Sequence, residues 1–469
     1  MATKITWVKN SIIPALIIGL LLRLPGMFES LWYDEAFTLY LATLDIPHLI
    51  AATAGDVHPP LWYLISWASC RVFGFNEFAV RFPSLVFGLA TIALFPRVLA
   101  LFNVPDVIAT IGKWLVVSSP MLINYSVEAR MYSLLALLCL LGIYAAQRRN
   151  WPALALIITA GMYTQNMFVL ILPTLALLAG FEVIALAGAF SILLYTPWIP
   201  VVLSQTTNVA MAYWIPDISL GRVAYTVYRI IAGAGHHEGI VLITAPLVLI
   251  ILATGAWQAR DNWRLLAWAL LPPALAGIIS LVQPVMIERI LIGAVPGLLV
   301  LCGWGVYSII TRLNNRWYAL TPALIWIITI GGLYLTPTNS DLRSRYQSLD
   351  IQPGDVCYHL NASTLITTAY VHPDCKNYLW PADQGLDQTI TRATKQAMGM
   401  AEAEIETLPA GPIWLFHYTG PHVSGPEFEE QHRILENFRI IDTQLVQDDD
   451  GIALTTVWRI ANDNRYASR

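Results

Sequence analysis

Residues 290–310 read ILIGAVPGLLVLCGWGVYSII, a run of 21 residues without a charged side chain. A helix rises about 1.5 Å per residue, so this run would be about 30 Å long, which matches the hydrocarbon core of a bilayer. Comparable apolar runs occupy residues 265–282 and 317–335. The pattern therefore predicts helices that cross a membrane.

The composition of the whole chain agrees with this prediction. Hydrophobic residues make up 56% of the chain and charged residues only 12%, with a mean hydropathy of +0.58, whereas soluble domains carry about 25% charged residues. Lys4 and Lys9 precede the first apolar run without a clear small-residue cleavage site, so this run is predicted to be an anchored helix. The net charge of −4 gives no reason to expect nucleic acid as a partner.

Basic residues predict how the chain crosses the membrane. Twelve apolar segments are candidate spans: 10–25, 59–75, 80–101, 107–126, 131–147, 151–165, 167–180, 182–203, 239–256, 263–282, 290–311 and 317–335. The positive-inside rule places the arginines near 148, 260 and 312 in the cytoplasm, together with the N-terminus. With the C-terminus outside, the number of crossings must be odd. We expect about eleven crossings of the plasma (inner) membrane, with thirteen as the alternative and the miscounted segment within 58–127.

The chain is predicted to divide near residue 335. Residues 1–335 hold 13 of the 31 acidic residues and residues 336–469 hold the other 18, which predicts a transmembrane domain followed by a small extracytoplasmic α/β domain. In the membrane part, outer loops are expected at 26–58 and 204–238. The C-terminal part has strand-like runs at Val356–Leu360, Ile413–His417 and Ile452–Ile460, and helix-like runs at Thr389–Glu406 and Glu427–Asn437.

Whether two of the cysteines form a disulfide depends on the compartment. Cys357 and Cys375 lie in the polar C-terminal part and can pair only if that part faces an oxidising compartment. The sequence leaves the pairing open.

Ionisable residues gather on the predicted outer face. It holds all four histidines of the membrane part and nine of its acids: Glu29, Asp34, Glu35, Asp45, Asp56, Glu128, Asp217, Glu238 and Glu288. Charge at a membrane boundary often marks function, although outer loops can also simply be polar. We interpret this face as the side on which chemistry takes place.

The first outer loop carries adjacent carboxylates, Asp34 and Glu35, beside Tyr33. Neighbouring side chains on a short loop do not easily face the same way, so one carboxylate could act as a general base while the other has a different partner. The alternative is a solvated turn that caps a helix. Farther on, Asp56 and His58 precede a Pro-Pro pair, and His58 could bind phosphate, bind metal or donate a proton.

Two later segments combine acids with arginines. Glu128, Arg130 and Tyr132 lie at the mouth of an apolar helix, and Glu288 with Arg289 opens another. Arginines at the outer surface suit a lipid-linked phosphate. A local Glu–Arg pair that only marks the membrane boundary is the alternative.

A sugar-binding segment and a metal site are also candidates. Gln165 and Asn166 lie between two apolar runs and could hydrogen-bond a sugar. His236, His237 and Glu238 could bind a divalent metal with mixed nitrogen and oxygen ligands, although adjacent histidines also occur at ordinary interfaces.

In this order, the segments resemble the GT-C superfamily of polyprenyl-phosphate-sugar-dependent glycosyltransferases, in the branch that contains protein O-mannosyltransferases and the lipid A aminoarabinose transferase. The matching segments are WYDEAFT (32–38), DVHPPLWYLI (56–65), FGFNEFAVRFPS (73–84), YSVEARMYSLLAL (125–137), YTQN (163–166) and ERILIGAVPGL (288–298). Each is modestly specific, and the ordered set is a stronger signal.

The resemblance implies a GT-C-like helical fold and extracytoplasmic sugar transfer without a nucleotide cofactor. The donor would be a polyprenyl-phosphate-linked sugar in the membrane lipids, and the acceptor a lipid, a glycan or a protein. The family's first catalytic acid matches Asp34, with Glu35 beside it, and the second matches Glu128, where many relatives have aspartate. Many relatives have histidine where this chain has Gln165, which weakens a metal or acid–base role there.

The predicted reaction uses these residues together. Asp34 would deprotonate the acceptor hydroxyl, while Arg130, Arg289 and His58 would bind the donor phosphate. A single displacement inverts the anomeric carbon, and a retaining double displacement stays open. Tyr33, Asp56, Tyr132, Gln165, Asn166 and Glu288 are the candidate substrate-binding residues.

The alternatives are a transporter or flippase and a non-enzymatic scaffold. A transporter would have ionisable residues near the middle of the membrane and broken helices in paired repeats. A scaffold would tolerate the loss of Asp34.

Overall fold

The chain folds into two compact units. The computed structural model describes residues 3–211, 215–233, 238–312, 320–335, 342–381, 390–418, 425–447 and 454–462. The first unit comprises Met1–Phe28, Arg81–Pro200 and Tyr213–Thr338. The second comprises Glu29–Val80, Val201–Ala212 and Asn339–Arg469.

Helices make up nearly all of the first 335 residues. They are α1 (Thr3–Leu21), α2 (Tyr33–Thr43), α3 (Ile46–Gly55), α4 (Leu61–Phe73), α5 (Glu77–Leu99), α6 (Asp106–Val117), α7 (Pro120–Ser126), α8 (Tyr132–Gln147), α9 (Trp151–Thr164), α10 (Leu172–Ala179), α11 (Phe181–Tyr195), α12 (Ile199–Met211), α13 (Leu220–Ala232), α14 (Glu238–Gln258), α15 (Trp263–Ile279), α16 (Val295–Arg312) and α17 (Leu320–Leu335). Short 3-10 turns occupy Pro25–Phe28, Ala100–Phe102, Asn166–Ile171, Thr196–Trp198 and Glu288–Ala294.

Each of the twelve candidate spans coincides with a helix or a pair of helices. Within the described residues, Glu77–Phe102, Phe181–Thr206 and Glu288–Arg312 are long and apolar enough to cross a bilayer. The bent pair of α6 and α7 is long and apolar enough only when the two helices are taken together. Seven further apolar helices have 10–17 residues. The predicted fold class, a polytopic helical membrane protein with a small C-terminal sheet domain, is confirmed, while the number of eleven crossings stays a prediction.

Local signals set where the helices begin and bend. The Ser119 side chain accepts a hydrogen bond from the backbone of Leu122, and Pro120 occupies the first turn of α7. Since this proline has no N–H to continue the ladder of α6, the two helices meet at an angle of 43°. Asn150 and Asn262 cap α9 and α15 in the same way as Ser119.

Glycines allow α14 and α16 to pack with their backbones in contact. A Cβ atom on Gly255 would overlap the carbonyl oxygen of Leu301, and one on Gly305 would overlap that of Ile251. Small residues at such crossings give membrane helices their close van der Waals contact. This helix pair therefore requires glycine at both positions.

We expect Gly305→Ala to lower the stability of the protein in detergent by about 1–3 kcal/mol, because the added methyl group must push the two backbones apart. Gly277→Ala is the matched control, since nothing lies within 4 Å of a Cβ atom at that position in α15. Thermal unfolding of the two variants checks this prediction. Equal melting temperatures would show that the crossing is not tight.

The C-terminal part of the second unit is an α/β domain. Its elements are α18 (Leu342–Gln347), β1 (Val356–His359), α19 (Ala362–Val371), β2 (Lys376–Leu379), α20 (Arg392–Ala397), β3 (Gly411–Tyr418), α21 (Gly425–Asn437), β4 (Arg439–Gln447) and β5 (Leu454–Asn462), with a 3-10 turn at Ile405–Thr407. The strand order is β2-β1-β3-β5-β4. Strands β2, β1 and β3 are parallel, and β5 is antiparallel to both β3 and β4.

Alternation along the strands produces two buried faces. Ile413 and Leu415 belong to a core with α21, whereas Trp414 and Phe416 belong to a second core on the opposite face, as the two-residue period of a strand requires. In β1, burial lowers the pKa of His359 to about 3, so this ring is neutral at physiological pH.

The sequence predicted this domain only in part. β1, β3, β5 and α21 agree with the predicted runs, and Cys357 and Cys375 form a disulfide. Within the described part of the predicted helix Thr389–Glu406, α20 is the only α-helix, because Gly399 takes a φ of 67° soon after it. Strands β2 and β4 were missed.

Candidate functional site

The carboxylates of the predicted first outer loop lie in the first turn of α2. Trp32 precedes the helix in an extended conformation, and its backbone N–H donates to Oε2 of Glu35 at 3.3 Å. Glu35 is fully buried, whereas Asp34 is partly exposed. The helix dipole favours both negative charges. The two neighbouring carboxylates therefore differ in their surroundings. Glu35 is buried and caps its own helix, whereas Asp34 is partly exposed.

Asp56 and His58 form a hydrogen-bonded pair after α3. The Nδ1 atom of His58 lies 3.3 Å from Oδ2 of Asp56, and both side chains are largely buried. A carboxylate at Nδ1 fixes the orientation of the ring. Thr391 donates to the carbonyl oxygen of Gly55 at 2.7 Å, so the α/β domain holds the backbone just before this pair.

The second unit thus joins residues 29–80, which include most of the predicted first outer loop, to the C-terminal residues. Within this unit, α19 packs on α2 and α20 packs on α3, and the amide of Gln205 donates to the carbonyl oxygen of Thr53 at 2.9 Å. The boundary predicted at residue 335 separates segments that the structure groups together. Both predicted acidic segments of the first outer loop are supported by residues from beyond 335.

In the first unit, Glu128 and Arg130 occupy the turn between α7 and α8. Both are buried, with 7% and 4% of their surfaces exposed. The Ser84 hydroxyl donates to the Glu128 carbonyl oxygen at 2.6 Å, and Ser133 donates to the carbonyl oxygen of Ser84 at 2.8 Å. Asn124 donates to Oε2 of Glu128 at 3.4 Å. Ser84 of α5 therefore holds the backbone of this turn, which fixes the positions from which its acid and its arginine extend.

Aromatic rings and charges surround this turn. The rings of Tyr125 and Tyr132 are 4.8 Å apart, and the Arg289 guanidinium lies 5.8 Å from the centre of the Tyr132 ring. Arg229 forms an ion pair with Glu288 at 2.8 Å. Tyr125 interacts electrostatically with Glu288 and Arg289. The structure therefore brings together the residues of 124–132 and 288–289 that the sequence proposed separately.

The candidate sugar-binding segment carries an aromatic cluster. Tyr163 lies 4.9 Å from Tyr195 and 6.2 Å from Trp198, measured between ring centres. The Tyr195 hydroxyl donates to Oδ1 of Asn166 at 3.4 Å, and Gln165 is buried at the end of α9. The amide oxygen of Asn166 is thus hydrogen-bonded within an aromatic surface.

The 3-10 turns 166–171 and 288–294 pack against each other within the first unit, and the second of them also contacts α8 and α13. The candidate phosphate-binding and sugar-binding segments are therefore neighbours. Their juxtaposition could not be read from residues that are more than 100 positions apart.

The predicted metal site is largely outside the described residues. His236 and His237 belong to the part that the structure does not describe, and of Glu238 only the backbone at the start of α14 is described. Within the described ranges, no group of three or more His, Cys, Asp or Glu side chains is arranged to hold a metal ion. The metal site stays a prediction.

Sequence reasoning missed five polar or charged side chains that contact the candidate residues or the backbone beside them. They are Tyr125 and Arg229 in the first unit, and Glu77, Tyr370 and Arg343 in the second. Glu77 lies inside the segment 73–84 that carries the family resemblance, which was a usable signal. Arg229, Arg343 and Tyr370 lie in segments without a motif.

Known protein families and solved structures include similar proteins. Residues 57–216 match the family model of dolichyl-phosphate-mannose-protein mannosyltransferases. The fold is similar to the crystal structure of apo ArnT from Cupriavidus metallidurans, with a TM-score of 0.58, 13% identity, and coverage of 97% of this chain and 98% of that one. It is also similar to the same protein bound to undecaprenyl phosphate, with a TM-score of 0.56, 12% identity, and 96% and 98% coverage. No curated protein sequence matches. The chain therefore has the fold of ArnT over nearly its whole length, and its residues 57–216 match the mannosyltransferase family model.

Proposed function

We propose that the protein transfers a sugar from a polyprenyl-phosphate donor to an extracytoplasmic acceptor, which is a lipid, a glycan or a protein. The observation that carries the proposal is the cluster of arginines and aromatic rings formed by 124–132 and 288–294 in the first unit. A similar fold has been crystallised with undecaprenyl phosphate, which supports this class of donor.

The arginines match the charge that the reaction creates. A sugar–phosphodiester carries one negative charge, and the polyprenyl phosphate that leaves gains a second as the glycosidic C–O bond breaks. Arg130 and Arg289 would stabilise this charge in a largely buried environment, where electrostatic stabilisation is strong. The Arg289 guanidinium lies over the Tyr132 ring, which would restrict the positions of that guanidinium. His58, paired with Asp56, is a further phosphate candidate.

Asp34 is the proposed general base. The acceptor oxygen attacks the anomeric carbon, its proton passes to the Asp34 carboxylate, and the bonding electrons leave with the phosphate. A single displacement of this kind inverts the anomeric carbon. Asp34 is preferred to Glu35 because Glu35 is fully buried and its carboxylate caps α2. Glu128 is the second family acid, with a carboxylate near Asn124.

We assign the C-terminal domain to the extracytoplasmic side. The Cys357–Cys375 disulfide supports this orientation, because disulfides persist in oxidising compartments. The basic loops near 148, 260 and 312 support it independently.

In intact cells, a variant that keeps only Cys357 and Cys375 is expected to resist thiol labelling until it is reduced, since both sulfurs are bonded. A maleimide–polymer mass shift on a denaturing gel, with and without reductant, measures this. Two labelled thiols without reductant would contradict the oxidising location.

The proposed reaction is tested with purified protein, a panel of polyprenyl-phosphate sugars and a membrane-lipid extract. We expect transfer from at least one donor, with an inverted anomeric configuration in the product by NMR. A retained configuration would replace the single displacement by a double displacement. The candidate divalent-metal site at His236, His237 and Glu238 is tested in the same assay. Loss of transfer with EDTA and rescue by a divalent ion would support it, and unchanged transfer would contradict it.

A further inference from the structure

A buried polar cluster lies at the start of α5. Glu77 is 7% exposed, and its Oε1 atom contacts both the guanidinium of Arg343 and the hydroxyl of Tyr370. The Arg343 guanidinium also lies 5.4 Å from the centre of the Tyr370 ring. The buried carboxylate is thus matched by a cation and by a hydroxyl donor, which is the condition for its being tolerated inside a protein.

The same cluster holds the chain immediately before α2. The backbone N–H of Leu31 donates to the hydroxyl oxygen of Tyr370 at 3.4 Å, and the backbone N–H of Arg343 donates to the Ser30 hydroxyl at 2.9 Å. Leu31 is fully buried. Asp34 follows only three residues later, in the first turn of the helix. Two independent hydrogen bonds therefore join the C-terminal residues to the segment that leads into Asp34.

The Tyr370 hydroxyl is at the centre of this arrangement. It donates to Glu77 and accepts from the backbone N–H of Leu31. The bond to Glu77 therefore sets the direction in which the lone pairs of the Tyr370 oxygen face the backbone. Packing of α19 on α2 holds the ring in the same place. The start of α2 is therefore fixed by a hydroxyl whose own orientation is set by a buried carboxylate.

We propose that Tyr370 and Glu77 are positioning residues that set where α2 begins and so aim the carboxylate of Asp34 at the acceptor. This inference rests on the proposed function, in which Asp34 is the base. A displacement of about 1 Å at a reacting group can reduce the rate by about 100-fold. The C-terminal domain thereby contributes to the reaction without touching the substrate.

Tyr370→Phe removes only the hydroxyl and keeps the ring beside Arg343. We expect kcat to fall by about 10–100-fold, with the KM for the donor nearly unchanged, because the donor site is assigned to other residues. Tyr40→Phe is the matched control: it removes a hydroxyl of α2 itself, which donates to the Met398 carbonyl oxygen at 3.4 Å, but lies six residues beyond Asp34.

A double-mutant cycle with Asp34→Asn separates positioning from general stability. If Tyr370 acts through Asp34, Tyr370→Phe has no further effect on single-turnover transfer once Asp34 is asparagine. Equal losses for Tyr370→Phe and Tyr40→Phe, or losses that multiply with Asp34→Asn, would overturn the inference and leave the proposed function intact. Wild-type protein without transfer activity, or with activity independent of Asp34, would overturn both.

Discussion

Replacement of Asp34 by asparagine is expected to lower kcat by about 10²–10⁴-fold, which is the usual contribution of a positioned general base. The amide keeps the shape of the side chain but cannot take the proton of the acceptor hydroxyl. Because the arginines assigned to the phosphate are unaffected, the KM for the donor should change little. Steady-state transfer with a polyprenyl-phosphate sugar measures both constants.

Glu35→Gln is the informative comparison. Its carboxylate is buried and accepts from the backbone of Trp32, so its replacement is expected to weaken the cap of α2 and to cost about 0.5–2 kcal/mol of stability. Its effect on kcat should be smaller than that of Asp34→Asn. A larger loss of kcat for Glu35→Gln than for Asp34→Asn would identify Glu35 as the base.

The second large effect is expected for Arg130→Gln. Loss of this cation should lower transfer by about 10²–10³-fold, the range found when one group that stabilises developing charge is removed. Unlike Asp34→Asn, it should also weaken the binding of free undecaprenyl phosphate by at least about tenfold, or about 1.4 kcal/mol. Equilibrium binding with a fluorescent polyprenyl phosphate measures the second effect.

Two further variants make this prediction specific. Arg130→Lys keeps the charge but not the planar fork that matches phosphate oxygens, so its binding should lie between those of wild type and Arg130→Gln. Arg148→Gln removes an exposed arginine at the end of α8 and should leave binding unchanged. Equal phosphate affinity in wild type and Arg130→Gln would remove Arg130 from the donor site.

The helical segments could be predicted because their signal is local. A run such as 290–310 shows its length and its lack of charge directly, and each of the twelve predicted segments is helical. The number of crossings is harder to predict, because short helices such as α9, with 14 residues, are apolar without being long enough for a perpendicular span of about 20 residues.

The sheet domain was harder to predict from the sequence, for two physical reasons. β2 has four residues, and β4 is a polar edge strand with an irregularity between Ile440 and Asp442, so neither carries a clear alternation of apolar and polar residues. The helix predicted for 389–406 extends past Gly399, whereas α20 ends before it. The positive φ of Gly399 cannot be read from the hydrophobic pattern of the segment.

The candidate residues could be found by motif, but their supports could not. Asp34, Glu128 and Arg289 lie in segments with a recognisable order along the chain. The bond between Leu31 and Tyr370 joins residues 339 positions apart, and nothing in either local sequence indicates it. Long-range contacts of this kind follow from the packing of α19 on α2, which only the fold defines.

The central claim is that a polyprenyl-phosphate sugar is the donor. It is tested most directly by incubating purified, folded protein with sugar-labelled undecaprenyl-phosphate donors and an acceptor extract, and by measuring labelled acceptor and released undecaprenyl phosphate together. We predict equal amounts of both products in wild type, and a rate of formation of both that is at least about 100-fold lower in Asp34→Asn. An intact donor with every sugar and acceptor, in protein that still binds undecaprenyl phosphate, would contradict the account.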